Sequence, residues 1–330
     1  MFRNVFVEKE YLRHPKTVHI LKSLNYQELK EIDNIDDIWG RVKKPYLHKR
    51  STLDLFIGGK KGQKVKEAPN AYGLGSEKHF YYIHAYNCIY ECQYCYLQGY
   101  FNTPDVVLFV NHQDIIDEMK SLAKIHPQAW FHAGEYSDSL ALSHITNELP
   151  DYFEFFKQHP TNKLELRTKA VNIRPLLQLQ PLSNIYVSFT LSTTQGAKAF
   201  DFKCPNLKAR LKAIEKLVLH GYKIGLHFDP MIYQDHFKEN YNELIEQIKN
   251  ILPSKQLGYI SLGVVRFTKD VYHEVEKNYP DSPITKQDYI KSFDNKVRYN
   301  LPMRMWMMNS VKDMLCRYYP EEKIYLCMED

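Results

Sequence analysis

The chain has 330 residues, 44% of them hydrophobic and 25% charged, with a formal net charge of +5. That length supports one large α/β domain with extensions, or two domains, and the mild positive charge permits an anionic partner without demanding one. The apolar runs fall far short of the roughly 20 residues that span a bilayer, and the charged start "MFRNVFVEKEYLRH" has no secretory apolar region, so no membrane association and a cytoplasmic location are expected.

In chain order, residues 1–75 read as an amino-terminal extension. Within it, residues 41–68 carry nine Lys or Arg against two acids, Asp54 and Glu67. Such a run is either a solvated loop or an arm that meets phosphates beside a site. From residue 79 short strand-like runs alternate with helical ones. "HFYYIHA" (79–85) reads as a strand that feeds straight into "NCIYECQYCYLQ" (87–98). "VVLFV" (106–110) is a further short strand and residues 114–125 a helix. "AWFHA" (129–133) is a strand, and residues 144–158 form a helix interrupted by Pro150. Strands follow at 163–169 and 185–191.

"LKARLKAIEKLVLHGY" (207–222) is an amphipathic helix with Leu207, Leu211, Ile214, Leu217 and Val218 on one face and Gly221 as its stop. Then come a strand at 223–230, a helix at 241–252 and a strand at 257–267. About six principal strands in βα alternation imply a parallel sheet with crossover helices, and six units fit a barrel better than a small sandwich. The barrel is expected over 76–270, with 271–330 as a carboxyl-terminal extension. No G-x-G-x-x-G follows the first strand, which argues against a dinucleotide-binding Rossmann site. Chemistry in parallel α/β folds sits at the carboxyl ends of strands. The cysteine loop, Glu135, Lys169, Ser192 and "HFDP" (227–230) all fall there.

Half of the six cysteines, Cys88, Cys92 and Cys95, lie within eight residues as C-x3-C-x2-C. In a reducing compartment this clustering points to metal rather than disulfides. A structural zinc wants four ligands, and neither His79 nor His84 completes a finger spacing. A cubane [4Fe–4S] cluster gives a better account, because three thiolates leave one iron open for a substrate or cofactor. Cys204, Cys316 and Cys327 are scattered along the chain and are expected to be buried structural cysteines. The 25 Tyr and 17 Phe can stack nucleobases or fill core.

The triplet, with Tyr94 before its last cysteine, resembles the signature of the radical S-adenosylmethionine superfamily. "CQYCYLQ" (92–98), "FHAGEYSD" (131–138), "RTK" (167–169), "RFTK" (266–269), "EKNYP" (276–280) and "RYNLP" (298–302) together resemble the spore photoproduct lyase family, in order, over roughly residues 40–330. The resemblance implies a partial (β/α)6 TIM-type barrel, a [4Fe–4S] cluster on Cys88, Cys92 and Cys95, and reductive cleavage of S-adenosylmethionine to a 5′-deoxyadenosyl radical that takes hydrogen from substrate. It implies Tyr94 against the cofactor and Tyr96 as a hydrogen relay, with simple packing the alternative for Tyr96. Ser137, Lys169 and Ser192 match cofactor contacts, and Arg298-Tyr299 match a pair near a DNA lesion. A flavodoxin or ferredoxin-type electron donor is implied too.

The resemblance breaks at one position. The lyases carry a hydrogen-donor cysteine where this chain has Glu135, and a carboxylic O–H is a far poorer hydrogen-atom donor than a thiol. Gly134-Glu135 instead fits a superfamily pattern in which the carboxylate accepts from the cofactor ammonium. His132 and Asp138 flank it, and His227-Phe228-Asp229 closes the fifth strand. These four are candidate substrate residues, although a His-x-Asp pair can also satisfy buried backbone and Asp229-Pro230 can be a turn. The leading expectation is a radical enzyme on a DNA or nucleotide substrate. The alternatives are the same chemistry on another substrate, or a non-catalytic iron–sulfur or zinc protein that binds nucleic acid.

Overall fold

The structure is a computed structural model that describes residues 2–48, 50–69, 75 and 77–328. Its centre is an eight-stranded sheet. Strands His79–Tyr82, Trp130–His132, Lys163–Thr168, Ile185–Thr190, Lys223–Met231 and Leu257–Val264 lie side by side in chain order, each parallel to the next. These are the six strands expected. Val65–Glu67 adds antiparallel at one edge and Ile324–Leu326 parallel at the other. Both extensions therefore supply barrel-sheet edges.

Side-chain alternation makes this sheet two-faced. In the strand Lys163–Thr168, Leu164 and Leu166 are fully buried in the main apolar core, while the intervening Lys163, Glu165 and Arg167 share the other face. The apolar face is covered by crossover helices, chief among them His112–Ile125, Leu149–Gln158, Leu207–His220 and Phe237–Ile251. Leu207, Leu211, Ile214, Leu217 and Val218 are all buried, as their spacing requires. Each such side chain contributes about 1.5–3 kcal/mol by leaving water. That helix starts where Asn206 Oδ1 accepts from Ala209 N, and ends at Gly221, whose φ of +105° is costly for any residue with a Cβ. The expected helix over 144–158 divides into Ser143–Thr146 and Leu149–Gln158. Pro150 sits in the first turn of the second, where its missing N–H breaks no helical bond.

A second sheet lies outside the barrel. Glu28–Ile32, Asn4–Glu8, Leu55–Gly58 and Val106–Phe109 run parallel, with Ala85–Tyr86 antiparallel at its edge. Thus "VVLFV" joins the amino-terminal sheet, not the barrel. The basic stretch supplies two strands, Leu55–Gly58 and Val65–Glu67, and several of its lysines have acidic partners within the fold. Lys44 lies 2.5 Å from Asp105 and 3.5 Å from Asp54, Lys43 is 2.7 Å from Glu274, and Lys61 is 3.4 Å from Glu8. The carboxyl-terminal part adds the helix Leu301–Leu315 and a small sheet of Tyr289–Lys291, Lys296–Tyr299 and Arg266–Thr268. Among the described residues no helix is long and apolar enough to cross a membrane.

Candidate active site

The cysteine loop leaves the first barrel strand and is tied down by amide side chains. Asn87, at φ 62°, donates through Nδ2 to Thr103 O and Asp105 O. Gln98 Nε2 donates to Gln93 O and Cys95 O, each at 2.9 Å. Asn278 Nδ2 donates to Gln98 Oε1 at 2.9 Å, which brings the carboxyl-terminal part into the brace. On the other side, Glu91–Cys92 pairs antiparallel with Asp201–Phe202. The Tyr94 hydroxyl donates to Asp201, whose other oxygen lies 2.7 Å from Arg210 Nη2, and the side chains of that ion pair are each 1% exposed. Arg210 also donates to Thr190 O and Pro205 O. A buried Tyr–Asp–Arg chain therefore anchors the loop to the helix Leu207–His220.

Cys88, Cys92 and Cys95 are all free thiols. Of the scattered cysteines Cys327 is buried as expected, Cys204 is half-buried beside the loop, and Cys316 is exposed on the last turn of its helix. Ligands about 2.3 Å from one zinc would lie within about 4 Å of each other. Among the described residues, the group of three metal-competent side chains whose ligand atoms all lie within 4.8 Å of one another is Cys92, Asp201 and Cys204. His84 donates to Ala133 O and His79 pairs with His132, so neither joins these thiols. Burial and the neighbouring Cys92 push the Cys95 thiol up to about 11, with the Tyr46 hydroxyl of the basic stretch opposing. The Cys92 thiol is pushed down, mainly by a hydrogen bond from Cys204. Lys169 sits over the Tyr94 ring at 5.2 Å; burial would lower its ammonium, but Cys92, Asp201 and Cys204 outweigh that and raise it.

Beyond the second barrel strand, Glu135 Oε2 lies 3.3 Å from Arg167 Nη2. Tyr96 donates its hydroxyl to the Glu135 carbonyl and is 38% exposed, so it is held by a hydrogen bond and not by packing alone. Gly134 has a local purpose: a Cβ there would come 3.0 Å from both Arg167 Cβ and Arg167 O. Ser137 is buried in the same loop. Ser192, past the end of the fourth strand, has a buried hydroxyl with no hydrogen-bond partner among the described residues. An orphaned donor of this kind is what a missing ligand leaves.

Six residues expected near substrate make internal contacts in this structure. Asp138 Oδ1 accepts from Leu140 N, Ala141 N and Thr168 Oγ1, and Oδ2 from Lys169 N at 2.8 Å, so its carboxylate staples the loop to the third strand. His132 and His227 both hold Glu165 inside the barrel, His227 at 2.7 Å, and the Tyr259 hydroxyl donates to the same carboxylate. Burial would raise the Glu165 carboxyl, but the two imidazoles carry it well below the usual range. Asp229 pairs with Arg266 at 3.2 Å and is followed by a cis peptide bond to Pro230. Arg298 donates to Ser292 and Asp294 within its own hairpin, and the buried Tyr299 hydroxyl donates to Gln287 at 2.7 Å and accepts from Tyr233 N. Tyr186, Tyr259, Trp130, His79, His132 and Glu165 border a cavity of about 250 Å³. His79 and Trp130 begin their strands, so this cavity lies at the amino ends, opposite the cysteine loop.

A parallel barrel that carries a three-thiol loop at its carboxyl-terminal mouth is the arrangement of a radical S-adenosylmethionine enzyme. The comparisons specify it further. A family model described as spore photoproduct lyase matches residues 3–326, and the chain belongs to that family. Its cofactors are a [4Fe–4S] cluster and S-adenosylmethionine. The spore photoproduct lyase of Bacillus subtilis (strain 168) is 28% identical over 205 residues, which cover 61% of this chain and 60% of that protein. The spore photoproduct lyase of Clostridium acetobutylicum is 23% identical over 301 residues, 89% of this chain and 87% of that one. A solved spore photoproduct lyase complexed with dinucleoside spore photoproduct superposes with a TM-score of 0.83 at 20% identity, covering 99% of this chain and 98% of that one. A mutant lyase with bound AdoMet and dinucleoside spore photoproduct gives the same TM-score over 100% and 99%.

Proposed function

We propose that this chain cleaves S-adenosylmethionine reductively and takes a hydrogen atom from a DNA lesion of the spore photoproduct type. The observation that supports it most is the coincidence, at one end of the barrel, of the three-thiol loop and the orphaned hydroxyl of Ser192. A cluster on Cys88, Cys92 and Cys95 would supply the electron and an iron open to the cofactor. Tyr94 and Lys169 pack beside the loop and limit its access to water. Glu135 offers a carboxylate to the cofactor ammonium, shared with Arg167. Tyr96 presents its phenol at the mouth, oriented by the Glu135 carbonyl.

The hairpin between Tyr289–Lys291 and Lys296–Tyr299 favours a nucleic-acid substrate. Phe293 near its tip is 97% exposed, and Lys291 and Lys296 flank the turn. Arg298 braces that turn through Ser292 and Asp294. An exposed ring between cations suits base stacking and phosphate contact. A flavodoxin or ferredoxin is the electron donor we assign.

The test is anaerobic turnover of dinucleoside spore photoproduct by the reconstituted chain, with dithionite and S-adenosylmethionine. Substrate-dependent 5′-deoxyadenosine is expected, with thymine recovery well below one per deoxyadenosine because position 135 has no thiol. No substrate-dependent deoxyadenosine would remove the lesion from the reading. Full thymine recovery would mean another residue quenches the product radical, with Cys327 beside Arg266 the first to replace.

A further inference from the structure

We propose that Cys204 is a positioning residue for the cluster: its thiol donates a hydrogen bond to the Cys92 sulfur and thereby raises the cluster's reduction potential. The inference rests on the assignment of Cys88, Cys92 and Cys95 as cluster ligands. The two sulfurs, Cys92 Sγ and Cys204 Sγ, are 3.5 Å apart. The backbone fixes that approach. Asp201 pairs with Cys92 and Phe202 with Glu91, and Gln93 N donates to Phe200 O at 2.9 Å. The chain then turns through Lys203, at φ 53°, and Cys204 N donates back to Asp201 O at 3.3 Å. Asp201 is itself held by Arg210 and Tyr94. Cys204 thus stands on a segment clamped on both sides, next to a cluster ligand.

For a cubane on the loop thiols that position suits donation, although Cys204 also lies within 4.8 Å of Cys92 and Asp201, as ligands of one ion would. Two thiolates of one cubane bind different irons at different corners, whereas these sulfurs are at hydrogen-bond separation. The Phe202 carbonyl, also 3.5 Å from Cys204 Sγ, is the competing acceptor. An iron-bound thiolate carries negative charge and is the stronger acceptor of the two. Reduction adds an electron whose charge spreads onto the thiolate sulfurs, so a donor to one of them stabilises the reduced cluster more than the oxidised one.

The experiment reconstitutes the full chain and its Cys204→Ala, Cys204→Ser and Cys316→Ala variants with iron and sulfide. It measures iron content and the midpoint potential of the cluster by spectroscopic redox titration. Cys316 is exposed and serves as the control. Expected are equal iron in all four proteins, a more negative midpoint for Cys204→Ala, a value nearer wild type for Cys204→Ser, and no change for Cys316→Ala. An unchanged midpoint in Cys204→Ala overturns the proposal. So does loss of iron from that variant, which would make Cys204 a ligand. If the wild-type chain takes up no iron, the cluster assignment fails first and this inference fails with it.

Discussion

Arg167 Nη2 lies 3.3 Å from Glu135 Oε2, so the carboxylate expected to meet the cofactor already has a cationic partner inside the protein. Both side chains are about one-fifth exposed, Arg167 at 19% and Glu135 at 21%. The pair is therefore accessible to a ligand, and an incoming ammonium would share the carboxylate with the guanidinium. Glu135→Gln keeps the shape and removes the charge. Affinity for S-adenosylmethionine is expected to fall about tenfold or more, since a hydrogen bond to a charged group contributes about 1.5–3 kcal/mol. Equilibrium binding to the reconstituted protein reads it. An affinity equal to wild type would mean that Glu135 serves Arg167 alone.

The Asp201–Arg210 pair is a different case, because it is buried and braces the cysteine loop. Asp201→Ala leaves a guanidinium in the core without its counter-charge, and the cost of such a loss is about 3–5 kcal/mol. Urea denaturation of the cluster-free chain should show that drop, and reconstituted iron should fall with it. Full iron uptake by a folded Asp201→Ala protein would show that the loop does not depend on this anchor.

The barrel floor predicts a pH effect. Burial, with the neighbouring His132 second, holds His79 at about 4 against an ordinary 6.5. A lowered imidazole pKa means that the unfolded chain binds the extra proton between pH 6.5 and 4. The His79 contribution is thus complete above pH 6.5 and lost as pH falls towards 4, by up to about 3 kcal/mol. Glu148 opposes it, since burial raises its carboxyl to about 7 and its protonation favours the folded state as pH falls from 7 to 4.5. The diagnostic quantity is the difference between wild type and His79→Gln. Denaturant midpoints should converge as pH drops from 7 to 4.5, and a constant gap between the two proteins would refute the assignment.

How far these features were legible in the sequence follows from where the information sits. The six parallel strands and the helix Leu207–His220 have their own periodicity, and a short loop can show its cysteines by spacing alone. Of the amino-terminal sheet only Val106–Phe109 was read as a strand; Glu28–Ile32 is mostly exposed and lacks clean alternation, and Leu55–Gly58 is a short buried run inside a basic stretch. Glu165, Asp201 and Arg210 were missed since nothing local marks their pairing: Glu165 meets His132 and His227 33 and 62 residues away, and Asp201 meets Tyr94 107 residues away. A signal did exist for the first: Lys163, Glu165, Arg167 and Lys169 recur with period two in one strand, which marks a charged barrel interior. His132, Asp138, His227 and Asp229 stood out as polar groups on buried segments, and each makes the internal contact that such a group requires.

Tyr96 tests the chemistry at the mouth. Its hydroxyl donates to the Glu135 carbonyl, its ring meets Tyr100 edge-on at 6.4 Å, and it is partly open to solvent. Because it is partly exposed, Tyr96→Phe should leave iron content and cofactor affinity close to wild type and folding stability within about 0.5 kcal/mol, as for a surface substitution. If the phenol relays a hydrogen atom, the variant still forms 5′-deoxyadenosine in the presence of dinucleoside spore photoproduct. Its thymine per deoxyadenosine falls severalfold, and abortive products rise. Quantifying both products in one anaerobic time course separates the steps. An unchanged ratio would reduce Tyr96 to an anchor for the Glu135 backbone, whereas loss of deoxyadenosine itself would place the phenol at cofactor binding and not at radical transfer.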